Sequence, residues 1–157
     1  RQSITQLSNI LRSSILVDKI ETVPLKKEIE IVQDYLSLEG IRYEERLHTS
    51  YNVQDNTLEM PVPPLMLQTL VENAIKYGLY GNLGEVKISL RFQKEGNYLQ
   101  VVVENPFDGK DSAPEGTGFG LSSLERRLFL IFGRTDLLEK SGAKDLFRVH
   151  LKIPVAG

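Results

Sequence analysis

Four stretches of the chain carry apolar residues at intervals of three and four, which is the spacing of an amphipathic helix. The predicted helices cover residues 2–20, 24–46, 65–79 and 121–133. Pro24 marks the start of the second helix, because proline is accepted in a first helical turn. Pro63 and Pro64 mark an extended entry to the third helix, and Gly78 and Gly81 signal its end. Strands are therefore expected in the segments between the helices.

Alternating apolar and polar residues predict strands in those segments. EVKISLRF and NYLQVVVEN alternate on either side of the turn residues KEGN at 94–97, which predicts a hairpin. LLEKSG and LFRVHLKIP predict two more strands, and LHTSYNV followed by QDN and TLEM predicts a second hairpin at residues 47–60. The expected fold is α+β, a two-layer α/β sandwich with a mixed sheet of about five strands and three or four helices.

Composition narrows the chemistry that this chain can perform. Its 157 residues are 41% apolar, which is enough for one hydrophobic core in a single domain. The 19 basic residues are balanced by 21 acidic ones, and no basic block points to nucleic acid or an anionic membrane. No cysteine is present and the two histidines, His48 and His150, fall on predicted strands, which disfavours a zinc site. No apolar run is long enough to span a bilayer, so a soluble piece is expected.

The third predicted helix carries a polar cluster that packing alone does not require. Its apolar residues form a stripe expected to face the core, while Thr69, Glu72, Asn73 and Lys76 fall on the opposite side. One interpretation is a solvated face with a Glu72–Lys76 pair, which stabilises a helix by about 0.2–0.5 kcal/mol. Asn73 favours another interpretation, because an amide is a poorer helix former than Lys or Glu but can ligate a hard cation such as Mg²⁺.

Residues 106–120 are rich in Gly and Pro, show no periodicity and precede the fourth predicted helix. Loops of this length are usually functional or mobile. Gly116, Gly118 and Gly120 alternate directly before the helix, where backbone N–H groups and the positive end of the helix dipole can hold phosphate oxygens. The series is neither a Walker A loop nor a dinucleotide fingerprint. A flexible connection is the alternative interpretation of these glycines.

Taken together, the motifs resemble those of a known family. LVENAIKYG on the third helix is followed by a hairpin ending in VVVEN, a long loop, GTGFGL and a helix with ERRL. This order resembles the ATP-binding domain of LytS/YehU-type sensor histidine kinases over nearly the whole chain. The resemblance implies a Bergerat-type α/β sandwich, as in gyrase and MutL ATPases, with ATP between the helix at 65–79 and the loop at 106–120.

The resemblance also implies roles for single residues. Glu72 matches a carboxylate that polarises the attacking group, so it is the expected catalytic residue. Asn73 matches the asparagine that binds Mg²⁺. Asn105 stands where the family usually has an Asp that accepts a hydrogen bond from the adenine amino group, and an amide oxygen can accept the same bond. The expected nucleotide-binding residues are Asn73, Lys76, Tyr77, Asn105, Gly116, Gly118, Gly120 and Leu121.

The chain departs from the family pattern at several other positions. Thr69 stands where gyrase-type ATPases place a catalytic glutamate, which disfavours hydrolysis of ATP by water. The glycine that usually follows the adenine-binding residue is absent, and Gly109 is its nearest substitute. Tyr77 and Ser123 stand where this subgroup commonly has His and Asn.

The resemblance further implies a division of the chain and a cellular setting. Residues 1–22 are expected to be the tail of the dimerisation and phosphoacceptor region, and residues 23–157 the ATP-binding catalytic domain. The phosphoacceptor histidine is expected upstream of Arg1, so this piece alone should not phosphorylate itself. Expected partners are ATP with Mg²⁺, a response regulator such as one of the LytTR type, and a second copy joined through the upstream helices. No nucleic acid and no direct membrane contact are expected for what would be a cytoplasmic domain of an integral membrane protein in a bacterium.

Two functional classes remain open at this stage, with a general Bergerat-type ATPase as a third. The first is the catalytic domain of a two-component sensor histidine kinase, which transfers the γ-phosphoryl group of ATP to a histidine and thence to a response regulator. The alternative is a degenerate, non-catalytic dimerisation or partner-binding module with the same fold, favoured by Asn105 and the missing glycine. Binding of ATP with Mg²⁺ separates these two classes, whereas steady ATP turnover by this chain alone would favour the third.

Overall fold

Three helices and seven strands make up the part of the chain that the computed structural model describes, residues 21–43, 45–79, 84–107, 119–143 and 145–155. The helices are α1 (Leu25–Arg42), α2 (Met66–Leu79) and α3 (Phe119–Phe132). The strands are β1 (Val23–Pro24), β2 (Leu47–Val53), β3 (Pro61–Val62), β4 (Val86–Glu95), β5 (Tyr98–Pro106), β6 (Leu138–Ala143) and β7 (Leu146–Pro154). Three predicted helices are thereby confirmed, and the one at 2–20 lies outside the described residues.

Five of the strands form one mixed sheet in the order β2-β4-β5-β7-β6. β2 runs parallel to β4, and the remaining neighbours in this sheet are antiparallel. The hairpin predicted around residues 94–97 is confirmed, with Glu95 paired to Tyr98 across a turn in which Gly96 has a φ of 60°. Glycine accepts this left-handed backbone without strain. The predicted α+β class with a five-stranded mixed sheet is also confirmed.

The hairpin predicted at residues 47–60 is wrong. β2 pairs with β4, and TLEM at 57–60 forms no strand, since Asp55–Thr57 are a 3₁₀ turn that overlaps the expected turn and the first residue of TLEM. The carbonyl groups of Leu58 and Met60 instead accept the N–H groups of Lys26 and Leu25 at 2.9 Å each. The TLEM segment therefore satisfies the first donors of α1, which have no partner within their own helix.

The hydrophobic core lies between the helices and one face of the sheet. Alternate residues of the central strands are buried, namely Val86, Ile88, Leu90, Phe92, Leu99, Val101, Val103, Val149, Leu151 and Ile153. The predicted stripe of α2 is buried as well, comprising Leu67, Leu70, Val71, Ala74, Ile75 and Gly78. α2 contacts α1, α3, β4 and β5. Every functional residue predicted on α2 is therefore carried by the most enclosed helix of the described fold.

Candidate functional site

Asn73 is buried in the fold without a hydrogen bond. Its side chain lies on α2 with 5% of the residue exposed, and neither Oδ1 nor Nδ2 has a hydrogen-bond partner among the residues that the structure describes. The prediction that it lies on a solvated side of the helix is wrong, because α3 begins against that side. A Cβ placed on Gly120 at the start of α3 would be 3.7 Å from Cγ2 of Thr69, which lies one turn before Asn73. We call Thr69, Asn73 and Gly120 the Gly120 end of the site.

Glu72 and Lys76 lie on the exposed side of α2, as predicted. Nε2 of Gln68 donates a hydrogen bond of 3.1 Å to Glu72, and no ion pair joins Glu72 to Lys76 within the described chain. The solvated face of the alternative interpretation therefore holds for Glu72 and Lys76, whereas its ion pair is not formed among the described side chains. Burial, followed by the charges of Glu39 and Glu72, raises the pKa of Tyr35 on α1 to about 12. The Glu72 carboxylate is thus close enough to α1 to act on a phenol there.

Of the predicted glycine series, Gly120 is the member within the described residues. It lies in the first turn of α3, and Leu121 next to it is 1% exposed in the core. Leu121 therefore fixes the start of α3 beside Thr69. Gly116 and Gly118, with the rest of the loop at 108–118, lie outside the described residues.

Asn105 lies at the other end of α2, where it packs against Gly78, which has no side chain. Its side chain is 1% exposed, and Nδ2 donates a hydrogen bond of 2.8 Å to the carbonyl oxygen of Pro106. A Cβ on Gly78 would lie 3.2 Å from Cγ1 of Val86 and 3.4 Å from Cβ of Asn105. The absence of a side chain at position 78 therefore lets β5 approach the helix at Asn105. We call Tyr77, Gly78 and Asn105 the Asn105 end of the site.

Three aromatic rings meet at the Asn105 end. The Tyr77 ring stacks on Phe147 with a centroid distance of 5.3 Å, and contacts Phe107 edge-on at 5.8 Å. Phe107 and Phe147 are 5.7 Å apart. Phe147 reaches this position because it pairs with Asn105 across β5 and β7. Such rings form an apolar wall that suits a planar ligand, since aromatic pairs favour stacked and edge-on contacts.

Several residues of the site were not found from the sequence. Phe147 is one of the alternating apolar residues in the strand predicted from LFRVHLKIP, but its place beside Asn105 depends on the register of β5 with β7. Glu28 lies in no quoted motif, and Arg127 lies in the ERRL motif without an assigned role, yet both contact the segment entering α2. Nη2 of Arg127 donates a hydrogen bond of 2.6 Å to the carbonyl oxygen of Pro64. The only sequence signal for their position is the pattern of apolar residues on α1 and α3, which shows the side of each helix that faces the core.

Sequence comparison relates nearly the whole chain to staphylococcal LytS proteins. The chain is 31% identical over 166 residues to "Sensor protein LytS" of Staphylococcus epidermidis, covering 98% of this chain and 28% of that protein. It is 32% identical over 152 residues to "Sensor histidine kinase/phosphatase LytS" of Staphylococcus aureus, covering 88% of this chain and 26% of that protein. Residues 1–47 match the sequence model of the family described as "Histidine kinase".

Solved structures agree with this relationship at the level of the fold. The histidine kinase AdeS of Acinetobacter baumannii has a TM-score of 0.64 at 16% identity, covering 99% of this chain and 80% of that chain. The catalytic domain of the histidine kinase ThkA has a TM-score of 0.63 at 18% identity, covering 85% and 94%. The chain belongs to the LytS family of histidine kinases.

The chain spans only about a quarter of the length of its LytS relatives, 28% and 26% for the two proteins named. The activity of a whole LytS-type protein is therefore only proposed for this chain. Among the residues described, no helix is both long enough and apolar enough to cross a membrane.

The donor set of this LytS-family domain fits a hard divalent cation bound together with a phosphate ligand. Within the described ranges there is no cluster of three or more His, Cys, Asp or Glu side chains that could hold a metal by itself. Mg²⁺ needs no such cluster, because it commonly takes one or two protein oxygens and completes its shell with water and substrate phosphates. Oδ1 of Asn73 is a buried oxygen of this kind, and no group in the described part of the chain donates a hydrogen bond to it.

Proposed function

We propose that the chain is the ATP- and Mg²⁺-binding catalytic domain of a two-component sensor histidine kinase. The observation that supports this most strongly is the Asn73 amide, which is buried with both polar atoms unpartnered. Buried polar groups in proteins are nearly always hydrogen-bonded, and an unpartnered one costs about 1–3 kcal/mol. Such a cost is expected where a ligand completes the site.

α2 would position the two ends of the nucleotide. Thr69 at the Gly120 end and Gly78 at the Asn105 end are nine positions apart, about 14 Å along the helix axis. We place the phosphates at the Gly120 end, where the first N–H groups of α3 favour anions. The base would lie at the Asn105 end, against the wall of Tyr77, Phe107 and Phe147. Gly116 and Gly118 are proposed to complete the phosphate side.

Glu72, Asn73 and Lys76 on α2 then have separate roles. Asn73 would hold Mg²⁺, which would supply neutralisation of phosphate charge in phosphoryl transfer. Lys76 is exposed and adds positive charge on the approach to the phosphates. Glu72 is exposed and accessible to another helix, so its carboxylate would accept the proton of an attacking imidazole. Leu121 would serve from the core, by fixing the start of α3 behind the phosphates.

The proposed acceptor of the phosphoryl group is a histidine in the dimerisation region of the same kind of protein, and the next acceptor is a response regulator. In one solved structure of this fold, the histidine kinase ThkA is in complex with the response regulator protein TrrA. It has a TM-score of 0.60 at 14% identity, covering 99% of this chain and 49% of that chain. We propose the same class of partner here, with homodimerisation through the upstream helices.

Calorimetric titration of the chain with ATP, in Mg²⁺ and in EDTA, tests the proposal. Mg²⁺-dependent binding is expected, and saturation at 100 times the Kd should stabilise the fold by about 2.7 kcal/mol. Asn73→Ala should remove the Mg²⁺-dependent part of the affinity. Asn52→Ala, at an exposed asparagine on β2, is the matched control and should bind as the parent does.

The degenerate module is the second candidate function, because Asn105 replaces the usual Asp and its Nδ2 is already bonded to Pro106. Absence of binding at millimolar ATP and Mg²⁺ would establish that candidate. Steady release of phosphate by the isolated chain would instead favour a general ATPase.

A further inference from the structure

Glu28 is a buried carboxylate that holds the backbone of another helix. It lies on α1 with 3% of the residue exposed. Its Oε2 accepts a hydrogen bond of 2.8 Å from the N–H of Leu65, and its Oε1 accepts one of 2.9 Å from the N–H of Leu67. No ion pair involves Glu28 in the described part of the chain. Two backbone donors at the start of α2 therefore take the place of the cation that a buried carboxylate usually needs.

The segment held by Glu28 has a strained backbone. Leu65 has a φ of 64°, a left-handed value that a leucine adopts at a cost. Its side chain is 55% exposed, so burial contributes little to holding it there. Pro63 and Pro64 precede it and carry no N–H, which makes Leu65 the first donor of the segment. The bond to Glu28 holds the N–H side of Leu65, while Thr69 donates to its carbonyl oxygen and Arg127 donates to that of Pro64.

We propose that Glu28 is a positioning residue that sets the placement of α2 along its axis and thereby orients the Asn73 amide. The buried stripe of α2 fixes which side faces the core, but apolar contact is not directional and tolerates sliding. Two hydrogen bonds to one carboxylate do not tolerate such sliding, because hydrogen bonds require defined distances and angles. Asn73 follows Leu67 by six positions, about 9 Å, so an axial shift at the helix start carries through to the amide.

An electrostatic interaction between the same helices is consistent with this placement. Tyr35 is seven positions after Glu28 on α1, and Glu72 is seven positions after Leu65 on α2. Glu72 is one of the charges that raise the pKa of Tyr35, after burial and Glu39. α1 is thus bonded to the start of α2 through Glu28 and lies within electrostatic reach of Glu72, the residue beside Asn73.

The first test uses the ligand-free protein and Glu28→Gln. Gln keeps one acceptor and turns an NH₂ group towards the other backbone donor, so one bond is lost. NMR would follow amide exchange of Leu67 relative to Val101 in β5, together with the side-chain NH₂ resonances of Asn73. We expect the Leu67 to Val101 exchange ratio to rise by about 5- to 13-fold, since a net bond of about 1–1.5 kcal/mol is lost. The Asn73 resonances should shift.

Val32→Ala is the control, because Val32 is fully buried on α1 one turn from Glu28. It lowers global stability but should leave the exchange ratio and the Asn73 resonances as in the parent. An unchanged ratio and unchanged Asn73 resonances in Glu28→Gln would overturn the proposal. Should Glu28→Gln not fold, Glu28→Asp is used with the same readouts, since it keeps the charge but is shorter by one methylene and cannot serve both donors.

The second test measures function and rests on the proposed nucleotide site. ATP affinity in Mg²⁺ and in EDTA is compared for the parent, Glu28→Gln and Val32→Ala at a temperature where all three are folded. Glu28→Gln should lose about tenfold of the Mg²⁺-dependent affinity, as outer residues of metal sites commonly do. Glu28→Gln should change the ATP affinity in EDTA little. Val32→Ala should change neither the affinity in EDTA nor the affinity in Mg²⁺. Full Mg²⁺-dependent affinity in Glu28→Gln would overturn the functional role, whereas a parent without such affinity would refute the proposed function and leave the NMR result to decide on Glu28.

Discussion

Asn73 on α2 and Asn105 beside it are both buried, yet within the described residues only Asn105 has a side-chain hydrogen bond. Asn105 is 1% exposed and donates to Pro106, so its amide is oriented before any ligand arrives. Asn73 is 5% exposed, and both of its polar atoms lack a partner. The Asn105 end is therefore completed by the protein itself, whereas the Gly120 end is left incomplete.

This difference indicates how each end would contribute to binding. A pre-oriented amide with an aromatic wall contributes selectivity, because the ligand must match groups that are already in place. An unpartnered buried amide lowers the stability of the free protein and regains it when a ligand supplies the missing contact. Variants at each end should then affect different quantities.

Asn73→Leu should give the largest effect. Leucine has a similar size and removes two unpartnered polar atoms, so the ligand-free protein should gain about 1–2 kcal/mol in urea unfolding. The Mg²⁺-dependent part of ATP affinity should fall by about 100-fold or more. Asn105→Leu is the paired variant and should lose stability, because it removes a made hydrogen bond. A loss of several kcal/mol in Asn73→Leu would show instead that Asn73 is a structural amide.

Gly78→Ala should affect the Asn105 end alone. The new Cβ would lie 3.2 Å from Val86 and 3.4 Å from Asn105, so overpacking should destabilise the fold by about 1–3 kcal/mol. ATP affinity should fall while the ratio of affinities with and without Mg²⁺ stays the same. Gly40→Ala on α1 is the control, because no atom lies within 4 Å of its added Cβ, and it should gain about 0.5–1 kcal/mol. If Gly78→Ala and Gly40→Ala change stability and ATP affinity equally, the close approach at Gly78 does not matter for the Asn105 end.

Comparison of ATP with inosine triphosphate should separate the two ends more finely. Because Nδ2 of Asn105 is engaged with Pro106, its oxygen remains as the acceptor for a 6-amino group. ATP should bind about 3- to 10-fold more tightly than the 6-oxo nucleotide, the value of one net hydrogen bond. Asn105→Leu should abolish this preference, and Asn73→Leu should leave it intact. Equal affinities in the parent would mean that Asn105 does not contact the base.

Sequence periodicity was sufficient for the parts of the fold that depend on local contacts. The stripe of α2 and the hairpin of β4 with β5 both follow from neighbouring residues, and both are confirmed. The pairing of β2 was not predictable in this way, because its parallel partner β4 lies far along the chain. The TLEM segment was misassigned because its carbonyl groups bond to α1, a tertiary contact that no local pattern reveals.

The same limit applies to the candidate site. Residue types indicated Glu72, Asn73 and Asn105, and these remain predictions until ligand binding is measured. The burial of Asn73 was not predictable, because it depends on how α3 begins against Thr69. Glu28 was missed for the same reason: on α1 it looks like one more charged residue, and only the packing of two helices brings it to Leu65 and Leu67.

The smallest expected effect concerns the charge beside Asn73. Burial first, and then Glu39 and Glu72, raise the pKa of Tyr35 to about 12, above the value of about 10 for an exposed tyrosine. The unfolded chain therefore releases this proton first, so the stability contributed by neutral Tyr35 is complete below pH 10 and is lost as the pH rises through 12. Tyr35→Phe should lose less stability over that interval, as measured by urea unfolding. Glu72→Gln should lower the pKa of Tyr35 in a titration of phenolate absorbance, and Asn105→Leu, at the uncharged end, should leave it unchanged. A shift in Asn105→Leu equal to that in Glu72→Gln would mean that the two ends of α2 are not electrostatically distinct.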